Sequence, residues 1–208
     1  MKVSLIASTW EAEEICGQAA AVSTGTKNIK SALRNALASG HTSVLEHAVY
    51  TFRVEGLSRA ALAQLTRHRL ASFVVESQRY VKVKDAEMVM PESISSSEFN
   101  EEAKKQMAGA FELYMRMAEA GIPYEDARYV LPQGVETSLV MTMNARELLH
   151  FFSLRMCNRA QWEIRKLAEE MLKLCKKSAP LIFEKAGPGC VRGNCPEKKP
   201  CGKGKKND

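Results

Sequence analysis

Apolar and polar residues alternate along several short stretches of the chain. In residues 48–55, apolar side chains stand at the even positions and mostly polar ones at the odd positions, which predicts a half-buried strand. Residues 2–8 and 135–143 predict two further strands. Residues 72–84 are rich in β-branched and aromatic side chains and predict another extended segment.

Helical patterns fill most of the remaining chain. Ser58 is suited to cap a helix that runs to about Arg67, and residues 91–97 predict a loop. Further predicted helices cover residues 10–22, 28–39, 98–120, 123–130, 144–157 and 160–186. Because strands and helices follow one another without regular βαβ alternation, we expect an α+β fold, with a mixed sheet and several long helices in a single domain.

Length and charge indicate one domain followed by a basic tail. The chain has 208 residues and a net charge of +6, of which residues 181–208 carry +4. The nearly balanced remainder does not indicate a nucleic-acid partner. The sequence contains neither an apolar run long enough for a membrane span nor a typical signal peptide. We expect a cytoplasmic protein with a folded domain at 1–186 and a disordered tail at 187–208.

The six cysteines fall into two groups. Three lie in apolar or helical surroundings and are interpreted as buried thiols: Cys16, Cys157 and Cys175. The other three lie close together in the tail: Cys190, Cys195 and Cys201. These could ligate a metal, but a structural zinc site needs four ligands and no histidine lies nearby, so we expect no metal site. Disulfides are not expected in a reducing compartment.

Residues 67–69 read Arg-His-Arg and end the helix predicted from Ser58. Cations at a helix C-terminus suit the helix dipole, so a solvated helix end is the simpler interpretation. Ser77 and Arg79 follow within a largely apolar stretch, and on an extended strand they would point to the same side. The alternative is therefore a ligand site, whose donors suit a phosphate and the edge of a pyrimidine.

Residues 144–157 combine a helix start with a buried arginine. Asn144 is a good N-cap, and Glu147 at the third helical position completes a variant capping box. Arg155 shares the apolar stripe of the predicted helix with Leu148, Phe151 and Phe152. Because a guanidinium keeps its charge, a buried one needs an acceptor, either an internal carboxylate or a ligand. A neighbouring stripe would face a second ligand: Arg146, Leu149, His150 and Ser153.

Four segments of the chain resemble the flavin-dependent thymidylate synthases. Residues 67–77 reproduce the signature of that family, Arg-His-Arg, seven residues and then Ser. Three further stretches follow the same order as in the family: residues 40–47, 127–132 and 144–163. The resemblance covers roughly residues 35–185 and implies the α+β domain of that family, with residues 1–186 as the catalytic domain.

The resemblance implies an activity and its cofactors. Members of this family convert dUMP to dTMP by reductive methylation, with methylenetetrahydrofolate as carbon donor and NADPH-reduced FAD as hydride source. They bind FAD across the subunits of a homotetramer. Because the cofactors supply the difficult chemistry, no activated cysteine is required. Ser77 lacks an obvious general base and is better suited to binding phosphate than to nucleophilic attack.

The resemblance also implies which residues form the site. The expected cofactor contacts are Ser43, Glu46, Arg67, His68, Arg69, Val75, Asn144, Arg146 and His150. The expected substrate contacts are Gln64, Arg67, Glu76, Ser77, Gln78, Arg79, Arg128 and Arg155, with Arg128 reaching the nucleotide of another subunit. Arg155 is the expected catalytic residue, which polarises the uracil ring and favours ionisation at N3. Three positions depart from the common pattern, namely Ser43 for Thr, Val75 for Glu or Gln, and His150 for an amide.

Two other functions are compatible with parts of the sequence. The first is a nucleic-acid-binding module, suggested by the basic tail and the Arg-His-Arg triplet, but opposed by the nearly neutral body. The second is an FAD enzyme with the same scaffold and another substrate. A Rossmann-type flavoprotein is not expected, because no GxGxxG fingerprint is present.

Overall fold

The computed structural model describes residues 1–83, 87–193 and 195–202, with the side chain of Arg192 left out. Its strands are β1 (Lys2–Ser8), β2 (Val49–Ser58), β3 (Ala71–Val75) and β4 (Glu136–Asn144). Its α-helices are α1 (Ala12–Thr24), α2 (Ile29–Ala38), α3 (Arg59–Leu65), α4 (Glu92–Ser95), α5 (Asn100–Glu119), α6 (Tyr124–Ala127), α7 (Ala145–Arg155) and α8 (Trp162–Ser178). Short 3₁₀ helices cover Thr42–His47, Arg128–Val130 and Gly189–Arg192.

The four strands form one sheet in the order β1-β2-β4-β3. The expected α+β class is confirmed, but the sheet is antiparallel at every described pairing rather than mixed. The reason lies in the connection through α3, which leads the chain past β4 to its far side. There β3 runs parallel to β2 but is hydrogen-bonded to β4, so no parallel pair forms.

One face of the sheet carries the core. The apolar even positions of β2 that the alternation predicted, Tyr50, Phe52 and Val54, are fully buried. On the neighbouring strand β4, Met141 and Met143 are buried beside them. Helices α3, α7 and α8 cover this face with residues of the same core cluster. Across the opposite face, the hydroxyls of Thr51 and Thr142 are hydrogen-bonded at 3.0 Å.

Three predicted elements differ in the structure. The extended segment 72–84 stops at Val75, because the Ser77 hydroxyl accepts from the backbone N–H of Arg79 and turns the chain. Lys84, the last residue of that prediction, lies outside the described residues. The helix predicted at 160–186 ends at Ser178, because proline at position 180 disfavours the helical conformation of Ala179. The predicted loop 91–97 contains the single turn of α4, which follows Pro91.

The cysteines differ in burial, and two of them belong to the hydrophobic core. Cys16 and Cys175 are buried as predicted, and burial raises the pKa of the Cys16 thiol to about 11. Cys157 is only half-buried, because it follows the end of α7 rather than lying within it. The expected disorder of residues 187–208 stays a prediction, and Asn194 and residues 203–208 lie outside the described part. In the described part of the tail, Glu197 is 3.9 Å from Arg159.

Ser58 fixes the start of α3. Its hydroxyl accepts from the Ala61 N–H at 3.0 Å, as the capping pattern predicted. The same hydroxyl donates to the Glu163 carboxyl group of α8 at 2.5 Å, and the Ser58 N–H donates to the other oxygen at 2.7 Å. Ser58 and Glu163 are 2% and 3% exposed. Hydrogen bonds to the buried Glu163 therefore fix the orientation of α3. None of the described helices is long and apolar enough to cross a membrane.

Candidate active site

The Arg-His-Arg triplet lies where α3 ends. Thr66 caps the helix, and residues 67–69 then enter a cleft of about 690 Å³ beside α7. The wall that α7 contributes consists of Arg146, Glu147, His150, Leu154 and Arg155. Two segments separated by about eighty residues in sequence therefore meet here, as the predicted site requires.

His68 is the buried centre of this cleft. The ring is 4% exposed and packs edge-on against Phe151, with 5.0 Å between ring centres. Its Nδ1 lies 2.8 Å from Glu147 Oε1, and its Nε2 lies 3.1 Å from Arg155 Nε. A guanidinium N–H can only donate, so Nε2 must be the unprotonated acceptor. Nδ1 therefore carries the proton and donates it to Glu147.

Burial keeps His68 neutral. Desolvation lowers the pKa of His68 below its ordinary value, and the nearby Arg155 charge lowers it further, while the hydrogen bond to Glu147 acts in the opposite direction. Desolvation also lowers the pKa of Arg155 from its very high ordinary value, without removing its charge near neutral pH.

Arg155 donates hydrogen bonds to two acceptors inside the protein. Besides the bond to His68, its Nη2 donates to the backbone carbonyl of Gln64 at 3.3 Å. The buried stripe predicted for α7 is present, with Leu148, Phe151 and Phe152 fully buried. The guanidinium carries five N–H donors, and these two bonds occupy one side of it. The remaining donors can serve a ligand, since Arg155 lines the cleft.

The predicted cofactor residues come together around α7. Arg146 forms an ion pair with Glu46, which joins the 3₁₀ helix Thr42–His47 to α7. Glu46 and Ser43 line a second cleft, of about 770 Å³, between α1 and α2. The exposed His150 ring lies 5.9 Å from the ring of His68.

Two predicted cofactor residues, Asn144 and Val75, make contacts that stabilise the fold. The Asn144 side chain caps α7 by accepting from the Glu147 N–H at 2.9 Å. Val75 is partly buried at the end of β3 and packs against the hydrophobic core. A longer polar side chain at this position would have to leave that contact.

A third cleft, of about 540 Å³, lies at the opposite end of α3. Its lining includes three of the predicted nucleotide residues, Glu76, Ser77 and Gln78. Arg59, the first residue of α3, donates from Nη2 to the Glu76 carbonyl at 2.9 Å and holds this segment in place. Glu76 is also tied to β4, because its N–H donates to the Ser138 carbonyl at 2.9 Å.

The lining of the third cleft contains buried polar atoms without a described partner. Within the described ranges, Arg59 Nε, Gln78 Nε2 and Thr137 Oγ1 are buried and have no hydrogen-bond partner. Thr137 is only 2% exposed. Buried polar groups are normally satisfied, so such a group points to a ligand or partner that completes the site.

Arg79 and Arg128 meet at α6. Arg79 is hydrogen-bonded to the Glu125 carboxylate, and Arg128 Nε donates to the Glu125 carbonyl at 3.0 Å. The structure thus brings these two predicted nucleotide residues together. The prediction that Ser77 and Arg79 share one side of a strand is wrong, because the strand ends at Val75 and residues 78–80 form a turn.

Six of the predicted substrate residues therefore form two groups within one chain. Gln64, Arg67 and Arg155 lie at the C-terminal end of α3. Glu76, Ser77 and Gln78 line the cleft at its N-terminal end, where Arg59 begins the helix. The seven residues of α3, at about 1.5 Å of rise each, separate the two ends by roughly 10 Å.

Sequence reasoning missed Glu147, Arg59 and Thr137 as site residues. A signal for Glu147 was available, since it precedes Arg155 by two helical turns and therefore lies on the same stripe of α7. The sequence contains no such signal for Arg59 or Thr137, because these residues come together in one cleft only when β2 pairs with β4.

One cluster in the described residues has the spacing of metal ligands. The ligand atoms of His68, Glu147 and His150 lie within 4.8 Å of one another. Both ring nitrogens of His68 are already engaged, with Glu147 and Arg155. The contact between His68 and Glu147 is therefore explained by their hydrogen bond, and His150 lies beside them through a ring contact.

Comparison with known proteins gives a consistent result. The Thy1 family, described as thymidylate synthase complementing proteins, matches residues 4–181. A flavin-dependent thymidylate synthase of Geobacter sulfurreducens is 53% identical over 161 residues, 76% of this chain and 69% of that protein. Proteins of the same description from Saccharolobus solfataricus and Thermococcus onnurineus are 44% and 48% identical over 207 and 183 residues. These alignments cover 92% and 83% of this chain, and 78% and 75% of the two relatives.

Proposed function

The chain belongs to the Thy1 family of thymidylate synthase complementing proteins, and we propose from this premise that the clefts at the two ends of α3 bind flavin and nucleotide. The protein is a flavin-dependent thymidylate synthase that converts dUMP to dTMP. Methylenetetrahydrofolate is the carbon donor, and FAD, reduced by NADPH, supplies the hydride. The observation that carries the assignment of the site is the meeting of residues 67–69 with α7 around Arg155.

The cleft at the C-terminal end of α3 has the chemistry that FAD requires. Arg67, Arg69 and Arg146 line it, and such a set of cations suits a pyrophosphate. Leu70 and Leu154 lie in the same lining and are 72% and 47% exposed, so they offer apolar surface to a flat ring. In this proposal His150 borders the flavin ring, and Ser43 and Glu46 bind the cofactor from the adjoining cleft.

Arg155 is the residue that we propose acts on the uracil ring. His68 and the Gln64 carbonyl hold one side of its guanidinium, which leaves N–H donors directed to the cleft. A fixed cation beside a uracil carbonyl stabilises the negative charge that develops when N3 ionises. The partial burial of Arg155 strengthens this effect, because less water screens the interaction.

The nucleotide phosphate fits the segment around Ser77. The Ser77 hydroxyl, the Gln78 amide and the Arg79 guanidinium offer donors of the type that phosphate oxygens accept. Gln78 Nε2 is one of the buried atoms without a described partner, which supports a ligand at this position. Arg128 lies beside Arg79 through Glu125 and would reach the same phosphate.

We propose that each nucleotide site is completed by a second copy of the chain, in a homotetramer. The separation of the two groups of substrate residues by the length of α3 supports this arrangement. Exposed apolar residues on the outer face of the sheet, Val74 at 75% and Val140 at 36%, offer surface for association. A cytoplasmic location is also part of the proposal.

A complementation experiment tests the shared site. Arg155→Ala and Ser77→Ala damage different groups, so each homo-oligomer is expected to have strongly reduced turnover. Co-expression of the two variants should restore dTMP formation, because mixed oligomers contain some sites with both groups intact. Co-expression of Arg155→Ala with Arg67→Ala, which lie in the same group, is the matched control and should restore none. Equal recovery in both mixtures would contradict the shared site, and wild-type protein without bound FAD or dTMP formation would contradict the function itself.

A further inference from the structure

Three side chains form a continuous hydrogen-bonded chain from the core to the cleft. Glu147, 5% exposed, accepts from His68, 4% exposed, and His68 in turn accepts from the partly exposed Arg155. Only Arg155 reaches the position proposed for the uracil ring. The two buried members therefore act on the reaction through the third.

We propose that Glu147 is a positioning residue, which fixes His68 as the Nδ1–H tautomer so that Nε2 holds the Arg155 guanidinium in place for the nucleotide. This inference rests on the role proposed above for Arg155. It gives His68 a different place in the site from the one that resemblance implied, because both of its ring nitrogens bond to protein side chains.

The carboxylate of Glu147 is not needed to cap α7. The capping bond runs from the Glu147 backbone N–H to Asn144 Oδ1 at 2.9 Å and leaves the side chain out. The carboxylate instead points to His68, where a buried charged acceptor favours the tautomer that donates to it. A variant of Glu147 can therefore change the tautomer of His68 while the cap remains.

The His68 tautomer decides whether Arg155 is held. If Nε2 carried a proton, through a change of tautomer or through protonation of the ring, its N–H would oppose the Arg155 Nε–H and the bond would be lost. The charged and titratable groups that face His68 are Glu147, Arg155 and His150. Of these, only Glu147 favours the protonated ring, whereas Arg155 and His150 oppose it.

Two variants of Glu147 test the proposal by turnover. Glu147→Leu removes the acceptor, and we expect kcat at saturating FAD and dUMP to fall by about 10²-fold, the usual cost of a catalytic group displaced by about 1 Å. Glu147→Gln keeps a neutral acceptor and should restore most of this loss. Glu163→Leu, which removes a buried carboxyl group at the other end of α3, is the matched control for lost stability. The proposal is overturned if Glu147→Leu keeps wild-type kcat, or if Glu163→Leu lowers kcat at 25 °C as much.

A double variant tests whether Glu147 acts through Arg155 or independently of it. Arg155→Lys cannot donate from the Nε position, so Glu147→Leu should slow it far less than it slows the wild type. If the fold loss of kcat in the double variant equals the product of the losses in the two single variants, Glu147 does not act through Arg155 and the proposal fails. If Arg155→Ala turns over like the wild type, the role proposed for Arg155 fails, and this outcome is distinct from the first.

The tautomer can also be observed without activity. In protein labelled with ¹⁵N-histidine, His68 should show a protonated Nδ1 and an unprotonated Nε2, with the assignment taken from His68→Gln. Glu147→Leu should shift His68 toward the Nε2–H tautomer, and the absence of a shift in folded protein contradicts the proposal. If Glu147→Leu does not fold, Glu147→Gln provides the test. Glu147→Gln keeps the acceptor but loses the negative charge, which lowers the pKa of His68 further, so the acid limb of kcat in this variant should move to lower pH, and an unmoved limb overturns the proposal.

Discussion

The two ends of α3 differ in how complete their hydrogen bonding is. At the C-terminal end, His68 is buried and both of its nitrogens are used. At the N-terminal end, the cleft contains three buried polar atoms without a described partner, on Arg59, Gln78 and Thr137. A satisfied network is rigid, whereas unsatisfied groups are costly until something binds them. The comparison indicates that the cleft proposed for flavin is pre-organised and that the cleft proposed for the nucleotide phosphate is completed by a ligand or a neighbouring chain.

The largest effect should come from the C-terminal end. Arg155→Ala is expected to lower kcat by about 10²–10³-fold, because a fixed donor at the developing charge is lost. Bound flavin, measured by absorbance, should remain. Arg159→Ala, four residues further along and exposed, is the matched control and should leave kcat unchanged. Loss of FAD from Arg155→Ala with an unchanged kcat after reconstitution would place Arg155 in cofactor binding instead.

The next effect concerns the stability of the N-terminal end. Ser58→Ala removes the cap of α3 and leaves the buried Glu163 carboxyl group with fewer donors. We expect the free energy of unfolding in urea to fall by about 2–4 kcal/mol. Asn28→Ala removes the exposed cap of α2 and should cost roughly 1 kcal/mol. Equal losses in the two variants would show that Glu163 adds nothing to the cap.

A smaller effect is expected from the residue that holds the nucleotide segment. Arg59→Ala removes the bond to the Glu76 carbonyl. Since that bond orders the segment before the nucleotide binds, the KM for dUMP should rise about tenfold while FAD binding is unchanged. Arg53→Ala, a mostly exposed arginine on β2, is the control. A fall in kcat with KM unchanged would contradict this division between the two ends.

The smallest effect should come from Glu125. Its ion pair with Arg79 is exposed on both sides, at 54% and 41%, so Glu125→Gln should change the free energy of unfolding by less than roughly 1 kcal/mol. Because the nucleotide phosphate competes with this carboxylate for Arg79, the KM for dUMP should fall by roughly two- to threefold. A raised KM would indicate that Glu125 orients Arg79 for the nucleotide.

Local patterns predicted most of the fold. The alternation in residues 48–55, the Ser58 cap and the Asn144 cap all depend on neighbouring residues, and all three are present. The end of β3 at Val75 was missed, because β-branched composition outweighed the turn that the Ser77 side chain forms. The antiparallel order of the sheet depends on where β3 docks, and no local pattern carries that information.

The surroundings of Arg155 could be predicted only in part. Arg155 required an acceptor because a charged group fell on an apolar stripe, and the structure supplies two acceptors. That one of them is His68 could not be derived from the residues alone, since it depends on the segment after α3 lying against α7. The separation of predicted substrate residues into two clefts could not be predicted either, because it depends on the length of α3 and on its direction relative to the sheet.

Helix α3 has only seven residues, too few to persist alone, yet carboxyl groups of later helices hold both of its ends. Glu163 of α8 holds the N-terminal end through Ser58, and Glu147 of α7 holds the C-terminal end through His68. In native-state hydrogen exchange, the amides of Leu62 and Leu65 should therefore open only together with α7 and α8, as one cooperative unit. The clefts proposed for flavin and nucleotide would then share a single rigid support, and loss of either carboxyl group should lower the exchange protection of the whole helix.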